Sequence, residues 1–336
     1  MDYVNLGNTG LKVSRLCLGT MSYGDPSKGW NPWILPPGDA LPFIRQALDL
    51  GINFFDVADV YAEGSSEEFL GEALSTLARR EEVVIATKVG GRVGASSTKD
   101  VRKGWPTTFG LSRKHILDAV DASLRRLKTD YIDLYQIHSD DGSMPIEEII
   151  EAMDALVRSG KVRYVGASNI TAWRLAKALF LAEARRLTRF VSVQHHYNLL
   201  YREDERELLP LLRDQNVASM PWSPLARGYL SGGRTRESAG SARSAGDAIA
   251  AQFYGSDTDF AIIDRVKARA SERNATPSQL ALAWLLSRPG TTIPVLGATR
   301  PQHLTEAVEA ISITLDEDET SALEDLYRPR QIVRPA

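Results

Sequence analysis

Short β-branched runs alternate with amphipathic stretches along nearly the whole chain, and no other feature restricts its folding so severely. After an opening hairpin pattern, "YVNLGNTGLKVSR" with "NTG" at its turn, strand patterns fall at 15–20, 53–58, 83–89, 131–138, 162–168, 190–196, 218–223 and 292–298. Between them lie segments whose apolar residues recur every three or four positions, among them 39–51, 113–127, 145–160 and 204–215. Helix signals sit at the junctions. Ser65 with Glu68 reads as a capping box, Thr276-Pro277 with Gln279 as a cap and a first-turn proline, and Gly51 and Gly160 as stops. Strand and helix repeated eight times predicts parallel strands with helical crossovers. Eight such units close into a (β/α)8 barrel, with the hairpin at its N-terminus and long loops on its C-terminal face. A length of 336 residues alone would suggest two domains, but one alternation runs throughout and predicts a single domain over 1–336. An open doubly wound sheet would want G-x-G-x-x-G after its first strand, and neither "LGTMSYGDPSKGW" nor "GGRVGA" supplies it.

The balance of charge excludes some partners. A formal net charge of −3, with 25% charged and 43% hydrophobic residues, offers nothing as a whole to nucleic acid or an anionic membrane. The single cysteine, Cys17, lies in the apolar run "RLCLGT" and reads as a small buried hydrophobe, so no intrachain disulfide is expected. The N-terminus lacks a basic stretch leading into an apolar one, and no apolar run approaches the ~20 residues of a membrane span, so a cytoplasmic location is expected. A metal-dependent hydrolase on the same barrel would want a H-x-H pair at a strand end; none is present among five histidines, and no metal is expected.

Three long excursions, 21–38, 90–110 and 231–257, all follow strands. In a barrel they crowd the C-terminal face and should form the walls and lid of one pocket. The strand ends beneath them carry chemistry: Asp56, Asp59 and Tyr61 after the second strand, Lys88 in the third, His138 at the end of the fourth. A phenol, with a pKa near ~10, is a poor acid at neutral pH, but an ammonium beside its oxygen favours phenolate and should bring the value down. A carboxylate holds that ammonium, and an imidazole orients a carbonyl. Asp56, Lys88, Tyr61 and His138 fit those roles, and Asp59 reads as a turn residue. Taken singly each has an ordinary structural reading, as a cap, a solvated cation, a rim aromatic or a satisfied histidine. Their coincidence at neighbouring strand ends favours the functional one.

The segments "GINFFDVADVYAEGSSEEFLGEAL", "VVIATKVGG", "SLRRLKTDYIDLYQIH", "LVRSGKVRYVGASN", "SPLARGYLSG" and "IPVLGATRP" make the chain resemble the aldo-keto reductase superfamily over essentially its whole length. With "YNLLYREDERELLP" it looks most like the bacterial and fungal members related to potassium-channel β-subunits. The resemblance implies an NADP(H)-dependent carbonyl reductase acting on a small-molecule carbonyl substrate. It places the family's catalytic residues on Asp56, Tyr61, Lys88 and His138. It implies a nicotinamide carboxamide held by Ser168, Asn169 and Gln194, a nicotinamide stacked on Trp222, and a pyrophosphate along Ser223, Leu225 and Arg227. Thr299 and Arg300 fall at a helix N-terminus suited to a 2′-phosphate, and Glu306 matches near the adenine. The structural alternatives are a core aromatic for Trp222, and for the other site a capping box of Thr299 with Gln302 beside a solvated Arg300. Trp30, Trp33 and Trp105, in the long loops, are candidates for an apolar substrate pocket. Departures from the family pattern fall at His303, Ala307, Val57, Ala62 and His195; the last is expected to be structural, with a substrate-facing role as the alternative. A second functional reading, from the channel-subunit resemblance, is a cofactor-binding sensor with slow residual reductase activity.

Overall fold

The computed structural model describes residues 1–28, 33–93, 106–236 and 247–332. Strands β1 (Tyr3–Asn5) and β2 (Lys12–Ser14) pair antiparallel as the opening hairpin. Eight parallel strands then close on themselves: β3 (Cys17–Gly19), β4 (Phe54–Asp56), β5 (Val84–Val89), β6 (Ile132–Ile137), β7 (Val162–Ser168), β8 (Phe190–His196), β9 (Ala218–Trp222) and β10 (Val295–Leu296), with β10 bonded to both β9 and β3. This is the (β/α)8 barrel that the alternation predicts. β10 is shorter than its sequence pattern at 292–298.

Helices α1 (Pro37–Asp49), α2 (Ser65–Leu77), α3 (Arg113–Leu127), α4 (Ile146–Arg158), α5 (Ala172–Arg185) and α6 (Leu208–Asp214) follow successive strands from β3 to β8. Their three-and-four spacing converts into one buried stripe each, such as Ile116 with Val120, Ile149 with Met153, and Leu175 with Leu179. Those stripes meet the outward strand residues Phe55, Ile85, Tyr135 and Val193 in one cluster, the layer between barrel and helices. Thr276 and Gln279 form the capping box as read, and Gly51 and Gly160 take the left-handed φ values that end α1 and α4. Ser65 and Glu68 do not form one. Left-handed Gly64 is the N-cap of α2, while the Ser65 hydroxyl donates back to the Ala62 carbonyl and accepts from the Asp25 N–H. The turn after Tyr61 thus displaces the cap.

Inside the barrel, alternation sorts the inward residues by height. Leu6 and Val13 of the hairpin join Cys17, Phe54, Ala86, Leu134 and Met220 in an apolar plug that closes the N-terminal end. Two residues further along each strand the same faces turn polar: Asp56 after Phe54, Lys88 after Ala86, Gln136 after Leu134. No helix among the described residues is long and apolar enough to cross a membrane.

Candidate active site

Strand register brings the polar layer together. Lys88 stands opposite Gln136, Gln136 opposite Gly166, Ser168 opposite Gln194, and His196 opposite Trp222. Gly166 is needed small, because a Cβ there would lie 2.6 Å from Ser192 Oγ and 3.2 Å from Gln136 Cγ. Between β4 and α2 the chain turns at Asp59, presents Tyr61, and then runs through three left-handed residues, Ala62 (φ 46°), Glu63 (φ 53°) and Gly64 (φ 90°). Non-glycine residues rarely adopt that region, and here it aims the phenol inward.

Lys88 is fully buried, and its ammonium donates to Asp56 Oδ2 at 2.6 Å, to the Val57 carbonyl at 2.9 Å and to Tyr61 Oη at 3.2 Å. All three protons are then used. Tyr61 Oη therefore accepts, and its own hydrogen is left for whatever enters the cleft. Burial alone would lower the lysine's pKa, but Asp56 and the phenol outweigh it and hold the ammonium above its ordinary value. The phenol departs from expectation. Lys88 does draw its pKa downward, yet burial is larger and leaves Tyr61 above the usual 10.0. It remains a protonated donor at neutral pH.

The His138 ring stands edge-on to Tyr61 with centroids 5.7 Å apart. Burial first, then Lys88, disfavours its cation and pushes its pKa down to about 3, so it is a neutral hydrogen-bonding group. Asp59 differs sharply from Asp56. Both are buried, but no hydrogen-bonding side chain meets the Asp59 carboxyl, and burial, then nearby Glu67, raise its pKa well above the carboxylate range. The turn at Asp59 is as read, and its buried side chain is not part of the cleft's lining.

Gln136 is a site residue that the motif reading missed. Its amide donates to Asp56 Oδ1 at 3.2 Å, and Gln194 donates to the same oxygen at 2.8 Å. The signal was present as the glutamine in "DLYQIH", an inward position one register step from Lys88. A carboxylate only accepts, so the Gln194 amide nitrogen must face it, and the Gln194 carbonyl is turned elsewhere. Asn169, at φ 50°, donates to the His138 carbonyl at 2.9 Å and to Ser168 Oγ at 3.0 Å, and accepts from the Trp222 indole at 3.0 Å.

Asp56, Tyr61, His138, Ser168, Asn169, Gln194, Trp222, Ser223, Leu225, Arg227, Thr299, Arg300 and Glu306 all line one cleft of about 1520 Å³ at the C-terminal ends of the strands; Lys88 lies just behind its floor. Small-molecule pockets commonly measure ~300–1,000 Å³, so this one has room for a large ligand and a small one together. All three long excursions contribute walls, through Met21 and Ser22, through Phe109, and through Arg234 and Phe253. Arg227 also pairs with Asp247 at 2.6 Å, tying the 223–231 turn to the far end of the third excursion. Arg300 is the exposed N-cap of the helix Pro301–Glu309 and makes no side-chain cap, so no capping box of Thr299 with Gln302 forms. Trp33 is half-buried outside the cleft's lining, and Trp30 and Trp105 lie outside the described residues. His195 points away from the cleft, bonded to Asp204 at 2.7 Å and Ser219 at 2.8 Å. Among the described residues no group of three or more His, Cys, Asp or Glu is placed to hold a metal ion.

Known proteins resemble this chain in sequence along nearly its whole length. The model of the aldo/keto reductase family matches residues 15–328. Versiconal hemiacetal acetate reductase of Aspergillus parasiticus is 40% identical over 342 residues, covering 99% of this chain and 98% of that protein. An aldo-keto reductase of Fusarium vanettenii is 39% identical over 347 residues, covering 99% and 92%, and an uncharacterized oxidoreductase of Bacillus subtilis is 37% identical over 332 residues, covering 97% and 96%. Likeness of this depth along nearly its full length means that the chain belongs to the aldo/keto reductase family, and that it is an oxidoreductase.

Proposed function

We propose that the protein reduces an aldehyde or ketone to an alcohol with NADPH, Tyr61 acting as the general acid. One observation carries this reading: Lys88 spends its three protons on Asp56, Val57 and Tyr61, leaving the phenolic hydrogen of Tyr61, which lines the cleft, for an incoming ligand. NADPH, when bound, supplies the hydride that reaches the carbonyl carbon. As charge builds on the carbonyl oxygen, Tyr61 gives it the proton, and the Lys88 ammonium stabilises the phenolate left behind. Neutral His138 can donate a hydrogen bond to the same oxygen and set its orientation.

The residues fit the cofactor. A carboxamide needs one donor and one acceptor, and Ser168, whose oxygen accepts from Asn169, keeps its hydrogen to donate, while Gln194 keeps its carbonyl. Asn169 is already committed to its neighbours, which supports a holding role for it rather than a direct one. Arg300, exposed at a helix N-terminus, suits the extra phosphate of NADPH over NADH. The walls next to His138 include apolar side chains alongside Ser112, Ser139, Asp141 and Ser143. Leu111 packs on Gly90 beside it, and Val60, Phe109 and Met144 line the same cleft, supporting an apolar or aromatic carbonyl. The "YNLLYREDERELLP" segment supports placing the chain near the potassium-channel β-subunit branch.

Fluorescence titration with NADPH and NADH, followed by aromatic and aliphatic aldehydes in the same cuvette, tests the reading. NADPH should bind tightly and be oxidised, and Arg300→Ala should weaken NADPH about tenfold or more while leaving NADH within about twofold. Equal losses for both would remove Arg300 from 2′-phosphate recognition. Tight binding with no turnover on any aldehyde would favour a cofactor-binding sensor.

A further inference from the structure

Trp222 is the last member of a pile of three flat rings. The His196 imidazole lies 4.1 Å from it with planes 8° apart, and Tyr201 lies 4.1 Å from His196 with planes 11° apart. Register makes the first contact, since His196 and Trp222 face each other on β8 and β9, and the bridge between Asn198 and Tyr201 folds the chain back to make the second. His196 is buried beneath the cleft, whereas Trp222 lines it. One face of the indole is therefore covered, and its edge is tied to Asn169.

The imidazole is itself held. Asn198 donates to the Tyr254 hydroxyl at 2.9 Å, and that hydroxyl is hydrogen-bonded to His196 Nε2. Phe253 and Tyr254 meet the ring edge-on at 4.8 Å and 5.7 Å. Burial, then the charges of His195, Arg330 and Arg227, disfavour a proton on His196, so it backs the indole as a neutral flat ring. A branched aliphatic side chain could fill the volume without fixing the plane.

We propose that His196 is a positioning residue that sets the plane of Trp222 and, through it, the seat of the nicotinamide ring. The inference rests on the proposed stacking role of Trp222. A double-mutant cycle on NADPH affinity separates the two. Trp222→Leu and His196→Leu should each weaken NADPH about tenfold, and the double variant should be no more than about threefold weaker than Trp222→Leu alone. Losses that multiply to about a hundredfold, or a His196→Leu protein within twofold of wild type, would overturn the proposal. If Trp222→Leu itself binds normally, the stacking role fails instead. His196→Phe, which keeps a flat ring, should stay within about threefold of wild type, and a loss equal to that of His196→Leu would count against the proposal. Should His196→Leu not fold, Tyr201→Leu takes its place in the cycle with the same non-additivity expected.

Discussion

The two ends of the barrel use the same uncommon backbone geometry for different ends. Among the described residues, ten that are not glycine have positive φ. Lys128, Arg186 and Asn216 lie in turns that lead from a helix to the next strand, and Asn274 lies between two helices. Such residues stop helices, and their carbonyls are met locally. Ala62, Glu63, Asn169, Ser223, Ala226 and Arg227 instead follow strands; Asn169, Ser223 and Arg227 line the cleft, and the others lie within two residues of Tyr61 or Arg227, which do. There the left-handed turns lie beside the Tyr61 phenol, the Asn169 amide and the 223–227 loop. The N-terminal end is packed with Leu6, Val13 and Phe54 and carries no charge in that plug, whereas the C-terminal end buries Asp56 and Lys88. One end supplies stability and the other holds strain and unpaired capacity for a ligand.

The sharpest way to test that division is to remove one atom at the reactive end. Tyr61→Phe should lower kcat about a thousandfold while leaving NADPH affinity within about twofold and the melting temperature unchanged, measured by single turnover, titration and calorimetry. A variant with near-normal kcat would remove Tyr61 from the proton transfer. Asp59 offers the control, since it is as buried as Asp56 but its carboxyl does not bond the Lys88 ammonium and it does not line the cleft.

Local pattern carried the barrel, because the period of two and the period of three to four are fixed by neighbours in sequence, whereas Ser168, Asn169, Gln194, Trp222 and the 223–227 positions of the cleft were implied only by the family resemblance. It also carried Asp56, Tyr61, Lys88 and His138, whose types are conspicuous at strand ends. What it did not carry depends on register between strands distant in sequence. Gln136 looks like any strand polar until Lys88 stands opposite it. His196 was overshadowed by His195, although alternation from inward Gln194 places 196 inward and 195 outward. The level of the Tyr61 pKa was misjudged for a similar reason, as the charge of Lys88 could be read from the motif but the depth of burial could not.

A second, smaller effect separates the ends by pH. His138 and His196 have folded-state pKa values below the ordinary 6.5, at about 3 for His138. The unfolded chain therefore binds more protons between those values, so the stability these groups contribute is full above pH 6.5 and is lost as pH falls toward 3. Between pH 7.5 and pH 5.5 His138 should account for a loss of about 1.4 kcal/mol, seen as a larger fall in melting temperature than a His138→Gln variant shows over the same interval, a comparison that cancels the opposite contribution of Asp59. Reduction itself should show no basic limb below pH ~10, because the acid form of Tyr61 is the working one and its pKa is raised. A rate that falls between pH 7 and 9 would show that the bound state lowers Tyr61 where the free cleft does not.

The smallest effect asks the same question with one substitution made twice. Arg186 ends α5 at φ 56° and is exposed, so Arg186→Gly should relieve the left-handed strain and stabilise by about 0.5–1 kcal/mol without touching kcat. Ala62, at φ 46°, would gain the same relief from Ala62→Gly, but its methyl is buried and its loss removes about 0.8 kcal/mol of apolar burial. The two terms nearly cancel, and the melting temperature should hardly move. Activity should move, because Ala62 is the first residue after Tyr61 and its restricted backbone limits where the phenol can point; a fall in kcat of about threefold to tenfold is expected. If both glycine variants leave kcat alone, the strain beside Tyr61 is only a turn like those at the other end, and the comparison loses its functional half.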